Sequence, residues 1–246
     1  MREILLSRSQ VHQGSLLVIN RDHPLLPGDP VSLTAADDRR PEVLLERRAA
    51  RLLTLCIRAV GGWDAIVPVS GWRSQEEQQA IWDTSLAEHG AAFTRQYVAL
   101  PGCSEHQSGL AVDLGQAAEE IDFLRPAFPD YGVWGAFRRA AARYGFIQRY
   151  QKGKEAVTGI AWEPWHFRYV GVPHALLLER NGLCLEEYPD FLCRPRTCSL
   201  PGGRQVVVYR APCSGAEAAL QLPEGCCQIS GDNADGFIVT LWGRTA

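Results

Sequence analysis

The sequence predicts an α+β fold: a body of helices and short strands, followed by a small β-rich tail. Three observations carry this. Apolar residues recur at helical spacing over 42–60. A capping-box pattern opens a second helix at Ser74 and Glu77. Short alternating runs such as AVDLG at 111–115 read as strands, and such runs crowd together after residue 195. At 246 residues the chain can bury a sizeable core, and is long for one domain but short for two. The change of texture divides it into 1–194 and a β-rich appendage at 195–246.

The elements follow in order. LLVI at 16–19 reads as a short strand, and the Pro-rich stretch after it as a surface loop to about residue 40. Leu45, Ala49, Leu52, Leu53, Cys56 and Val60 share one helical face, and Gly61-Gly62 stops that helix. AIVPVS (65–70) is a β-rich run ending at Gly71, and the helix opened at Ser74 runs to about Gly90. Residues 91–110 lack a period and read as loop. In the strand 111–115, Val112 and Leu114 face one way and Asp113 the other. VWGAFRRAAARYG (133–145) is a helix closed by Gly145, and FIQRY (146–150) with IAWEPWHFRYV (160–170) form paired strands. PHALLLERNG (173–182), with Pro near its start and Gly past its end, is a helix. In the tail, RQVVVYRAP, ALQLP, CQIS and GFIVTLW read as strands, the last two joined by the turn signal SGDNADGF. Their alternation suits packing on the core or an oligomer contact.

Composition excludes several functions. A 46% hydrophobic, 22% charged chain is globular rather than disordered. With 25 basic against 28 acidic residues and no basic run, nucleic acid is not an expected partner. The N-terminal apolar run is too short for a signal peptide or membrane span, so the expectation is a cytoplasmic chain, an N-terminal anchor replaced by Met1 being the alternative. None of the eight cysteines forms a CxxC pair, which leaves a four-Cys zinc knot without support. Reduced thiols are expected, with a bridge in the Cys-rich tail left open.

Chemistry concentrates at SEHQSGLAVDLG (104–115) and EPWHF (163–167). His106, Asp113 and His166 offer two nitrogens and an oxygen, a donor set that suits Zn²⁺. Three protein ligands rather than four is the count of a catalytic site, which keeps one position open. Glu163, three residues before His166, would face away from it in a regular strand, but Pro164 breaks the ladder and lets both aim at one place. A carboxylate there suits a general base. His12, His23, His89 and His174 read as structural or surface groups.

The ordered pattern S-x-H-x-x-G-x-A-x-D (Ser104, His106, Gly109, Ala111, Asp113) followed by E-x-W-H (Glu163, Trp165, His166) resembles the zinc D,D-peptidases of the VanY, VanX and VanXY type, the D-alanyl-D-alanine carboxypeptidase family. SGWRSQEEQ (70–78) matches a third family segment, with Trp72 where a Tyr is usual. The likeness covers roughly residues 15–180. It implies zinc held by His106, Asp113 and His166, and Glu163 as catalytic base. Arg73 would stabilise the oxyanion, while Ser104 and Gln78 would contact the substrate. It also implies a small antiparallel sheet carrying the zinc site, with flanking helices. The reaction implied is hydrolysis of a D-Ala-D-Ala terminus, as free dipeptide or as a peptidoglycan precursor peptide, with a role in glycopeptide resistance or wall turnover. L,D-carboxypeptidase action on tetrapeptide stems is the nearest alternative. An endolysin-type peptidase is disfavoured, since no wall-binding repeats are visible, and a non-catalytic hedgehog-like zinc module has no need of both Glu163 and Arg73.

Overall fold

The computed structural model describes residues 1–26 and 31–243; the PGDP segment of the Pro-rich stretch lies outside the described residues. In chain order the elements are β1 (Arg2–Ser7), β2 (Leu33–Asp37), β3 (Arg40–Glu46), α1 (Arg47–Ala59), β4 (Ile66–Ser70), α2 (Gln75–Tyr97), β5 (Ala111–Gln116), α3 (Gly132–Ala140), β6 (Phe146–Gln148), α4 (Glu155–Thr158), β7 (His166–Tyr169), α5 (Val172–Asn181), α6 (Tyr188–Phe191), β8 (Arg196–Ser199), β9 (Gln205–Pro212), β10 (Glu217–Leu222), β11 (Cys227–Gly231) and β12 (Gly236–Trp242). This is the α+β mixture expected. No described helix is long and apolar enough to cross a membrane.

Two compact units emerge: residues 19–175, and residues 1–18 together with 176–246. The compositional break at 195 falls inside the second. Composition changes at one point along the chain, whereas compaction joins its two ends.

In the first unit, β4-β5-β7-β6 form an antiparallel sheet. Pro68 fits because β4 is an edge strand, where a missing N–H breaks no ladder. One face of the sheet is apolar. Val112 and Leu114 of β5 and Phe167 and Tyr169 of β7 join Leu53 and Ile57 of α1 and Phe137 of α3 in one core. Phe137 meets Phe167 edge-on, with ring centroids 5.1 Å apart. Each such side chain contributes about 1.5–3 kcal/mol by leaving water. The opposite face of β5 and β7 carries Asp113, His166 and Arg168, by simple alternation.

Several expectations need correction. The loop to residue 40 and the helix from Glu42 are instead a β2–β3 hairpin, and α1 begins only at Arg47. The Glu46 side chain caps α1, accepting from the backbone N–H groups of Arg48 and Ala49. LLVI is buried but forms no strand, while Arg2–Ser7 does and pairs with β10. Helix α2 continues past Gly90, which kinks it with φ 79°, to Tyr97. The second strand of the 146–170 pair begins only at His166.

In the second unit, β11-β12-β9-β8 form another antiparallel sheet, and the four tail strands expected from sequence are all present. Strand β8 and helix α6 were not foreseen. All eight cysteines are free, so no bridge closes the tail.

Candidate metal centre

Register brings the first two candidate ligands together. In the β5–β7 ladder Asp113 stands directly opposite His166, so their side chains leave the sheet as neighbours on the same face. His106 arrives from a 3-10 turn, Glu105–Ser108, that closes on Gly109 in the left-handed region (φ 71°). Its Nδ1 lies 2.6 Å from the Gly71 carbonyl oxygen, which assigns that nitrogen as the N–H donor and turns Nε2 toward Asp113. Gly71 must be glycine: a Cβ there would sit 2.2 Å from the Leu44 carbonyl oxygen.

The three residues fit a metal ion. His106 Nε2 is 3.2 Å from Asp113 Oδ2, and His166 Nδ1 is 3.0 Å from Asp113 Oδ1. Ligand atoms about 2.0 Å from a tetrahedral zinc stand about 3.3 Å apart. All three side chains are buried, and one ligand atom from each lies within 4.8 Å of the others. Although Asp113 Oδ1 approaches His166 Nδ1, no hydrogen bond of acceptable angle joins them, and the oxygen has no other partner among the described residues. A buried carboxylate oxygen in that condition is suited to a cation.

Glu163 is held beside this group by its backbone, which donates to the Tyr150 carbonyl just beyond the β6–β7 ladder. Its Oε2 lies 3.7 Å from His166 Nδ1. Because β7 starts three residues later, no bulge is needed to aim both residues at one place. Burial pushes the Glu163 carboxyl up to about 8, with Asp113 adding to the rise and His166 and Arg73 opposing it. A carboxyl lifted toward neutral pH is matched to taking and returning a proton. Burial drives His106 down to about 4, helped by Arg73. For His166 burial acts in the same direction, but Asp113, Glu105 and Glu163 outweigh it and raise the group to about 9. Asp113 is also penalised by burial, yet the two histidines hold it well below the usual carboxylate range.

Arg73 leaves the loop after β4 and is fixed at two points, donating Nε–H to Ser70 Oγ at 2.8 Å and Nη2–H to Asp113 Oδ2 at 2.9 Å. Gln78 is buried on the first turns of α2. Its amide donates to the Ala99 carbonyl and its oxygen accepts from Arg73 Nη1 at 3.3 Å. Ser104, also buried, precedes the His106 turn. All seven candidate residues line one cleft. The four remaining histidines stand outside it. His12 pairs with Asn233, and His174 is buried on α5.

Sequence reasoning missed three residues in the same cleft. Glu105 is fully buried beside His166, the Tyr150 ring lies 4.9 Å from the His166 ring, and the half-exposed Phe123 lies under the Arg73 guanidinium. Only Tyr150 had a usable signal, its place at the end of a strand run leading to the site. A Glu opening a short turn and a Phe in an aperiodic loop read as surface and linker.

Comparison with known proteins adds to this geometry. Residues 44–172 match the family model described as VanY, D-alanyl-D-alanine carboxypeptidase. A bifunctional D-Ala-D-Ala dipeptidase and carboxypeptidase from Enterococcus gallinarum, VanXYC, is 42% identical over 183 residues, covering 74% of this chain and 96% of that protein. The structure of the vancomycin-resistance D,D-dipeptidase VanXYg, in complex with a D-Ala-D-Ala phosphinate analogue, superposes with a TM-score of 0.95 at 45% identity, covering 98% of this chain and 99% of that one. A Glu-to-Ala mutant of a vancomycin-resistance D,D-pentapeptidase VanY from a VanB-type resistance cassette, in complex with Zn(II), gives a TM-score of 0.61 at 33% identity, covering 71% of this chain and 98% of that one.

Proposed function

This chain belongs to the VanY family of D-alanyl-D-alanine carboxypeptidases, and on that premise we propose that it is a zinc D,D-peptidase that cleaves the D-Ala-D-Ala terminus of peptidoglycan precursors and the free dipeptide. The observation that carries the reading is the cleft itself: His106, Asp113 and His166 spaced for one ion, with a carboxyl raised to about 8 beside them. Likeness to a dipeptidase over nearly the whole of both chains supports the inclusion of free dipeptide.

In this reading His106, Asp113 and His166 would hold zinc, which when bound would supply Lewis acidity toward the scissile carbonyl and the attacking water. Glu163 accepts the proton of that water and returns it to the departing D-alanine amine. Arg73, its planar guanidinium already fixed by Ser70, donates to the developing oxyanion. Ser104 and Gln78 hold the substrate's peptide or terminal carboxylate. Catalysis thus belongs to the portion 1–194, and 195–246 is a non-catalytic appendage.

The proposed location is the cytoplasm, where precursors are assembled. Eight free cysteines, with Cys193 and Cys226 exposed, suit a reducing compartment. Trimming D-Ala-D-Ala there would deplete the group that glycopeptide antibiotics bind, giving resistance.

D-alanine release tests the reading, using zinc-loaded protein on free D-Ala-D-Ala, on a pentapeptide-stem precursor and on a tetrapeptide stem. Release from the first two is expected. Release from the tetrapeptide alone would transfer the chain to L,D-carboxypeptidases, and release from none would leave a zinc-binding module.

A further inference from the structure

Directly behind the metal centre lies a buried cluster of charge that the hydrolytic steps leave unused. Glu105, Arg149 and Arg168 are all fully buried, brought together from the turn that carries His106, the residue after β6 and the middle of β7. Glu105 Oε1 accepts from Arg149 Nε at 2.8 Å and from Arg168 Nη1 at 2.7 Å. Removing such groups from water is costly, and well-packed apolar residues in their place are often no less stable. Stability alone therefore gives a poor account of the cluster.

The second carboxylate oxygen points elsewhere. Glu105 Oε2 stands 3.5 Å from His166 Nε2, and each of these two facing atoms is buried with no hydrogen-bond partner. On the other side of the same ring, Nδ1 faces Asp113 and Glu163. For Nδ1 to present its lone pair to a metal, the ring proton must sit on Nε2 and find an acceptor there. For His106 the corresponding acceptor is the Gly71 carbonyl. For His166 the carboxylate that faces Nε2 is that of Glu105.

We propose that Glu105 is the positioning residue of His166, its Oε2 taking the Nε2–H so that Nδ1 is held ready for zinc, while the two buried arginines pin Oε1 and so fix the direction of Oε2. Resting on the zinc-peptidase reading, this adds to it a residue that touches neither substrate nor metal. It also accounts for the arginines, which hold Oε1 and so leave Oε2 aimed at the ring.

The test compares wild type with Glu105→Asp, which keeps the charge between the arginines but withdraws the oxygen by about one C–C bond, ~1.5 Å. Chelator competition should show zinc binding weakened about 10–100-fold in the variant. In ¹⁵N-histidine NMR of the zinc-loaded wild type, His166 should show a downfield, slowly exchanging Nε2–H, which moves upfield and exchanges faster in Glu105→Asp. A folded variant with unchanged zinc affinity would overturn the proposal, as would a freely exchanging Nε2–H in the wild type. That last measurement decides alone should the variant not fold. A wild type that holds no zinc would sink the peptidase reading first, and is seen before any variant is made.

Discussion

Two four-stranded antiparallel sheets share one pleat and bury different things. In β4-β5-β7-β6 the middle strands place Asp113, His166 and Arg168 on one buried face and an apolar layer on the other. In β11-β12-β9-β8 the central strand β12 buries Phe237, Ile238 and Val239 on both faces, and Thr240 is its buried polar residue. The ion pairs of the second sheet lie where strands end, where Arg210 on β9 meets Asp232 and Asp235 in the turn before β12. Asp232 also accepts from the backbone N–H groups of Ala234 and Gly236, so there a buried carboxylate shapes a turn. Charge in mid-strand is expensive and persists where each group answers another. The same group at a strand end is satisfied by the backbone and needs no chemistry to explain it.

Substitutions can break or sharpen this contrast. Among substitutions that address this contrast, the largest effect is expected at Arg73. Arg73→Ala should lower kcat about 10²–10³-fold, the usual cost of losing one oxyanion donor. Steady-state kinetics with zinc content checked would read it, and a variant of normal kcat would remove Arg73 from the reaction. In the second sheet, Arg210→Met should cost about 3 kcal/mol in urea unfolding, by taking from the buried Asp232 the cation that meets its Oδ2. An unchanged kcat would sharpen the contrast between the sheets, and a fall like that of Arg73→Ala would break it. Gly71→Ala joins structure to chemistry: its Cβ would press on the Leu44 carbonyl, costing about 1–3 kcal/mol, and would shift the carbonyl that orients His106. Zinc retention should fall with stability, and a fully zinc-loaded, stable variant would contradict the tight packing described.

The smallest effect is one of pH. Burial holds His174 neutral, down at about 3, whereas an unfolded histidine titrates near its ordinary 6.5. Below 6.5 the unfolded chain takes up a proton that the folded state refuses, so the His174 contribution is intact above that pH and is lost as pH falls toward 3. Unfolding midpoints at about pH 7.5 and 5.5, either side of the unfolded value, should lie closer together for His174→Leu than for wild type. An identical pH dependence would mean that His174 is not the group responsible.

Much of the molecule was legible in the sequence. Alternation placed Val112 and Leu114 in the core and Asp113 on the opposite face, and Gly145 and Gly182 marked where helices stop. The three candidate ligands were legible because metal chemistry restricts residue type and order. The β2–β3 hairpin was not. Glu42–Glu46 merges into the apolar period of α1, and only pairing with Leu33–Asp37, a tertiary fact, makes it a strand. Strand β1 was hidden likewise, since its partner β10 lies at the far end of the chain. Helix α2 outran its expected end because Thr94, bonded to Ser85 and to the Gly90 carbonyl, holds the chain helical beyond a glycine that would ordinarily end it. Glu105 escaped notice because nothing in its own neighbourhood reveals two buried arginines arriving from residues 149 and 168.

The most direct test of the central claim pairs two readings on wild type and Glu163→Gln: zinc per chain, and D-alanine released from D-Ala-D-Ala. Glu163 is placed here as the proton carrier and not as a ligand, so both proteins should hold one zinc while turnover falls about 10²–10⁴-fold in the variant. A Glu163→Gln protein that keeps its zinc and its turnover would contradict the account, and so would one that loses both together.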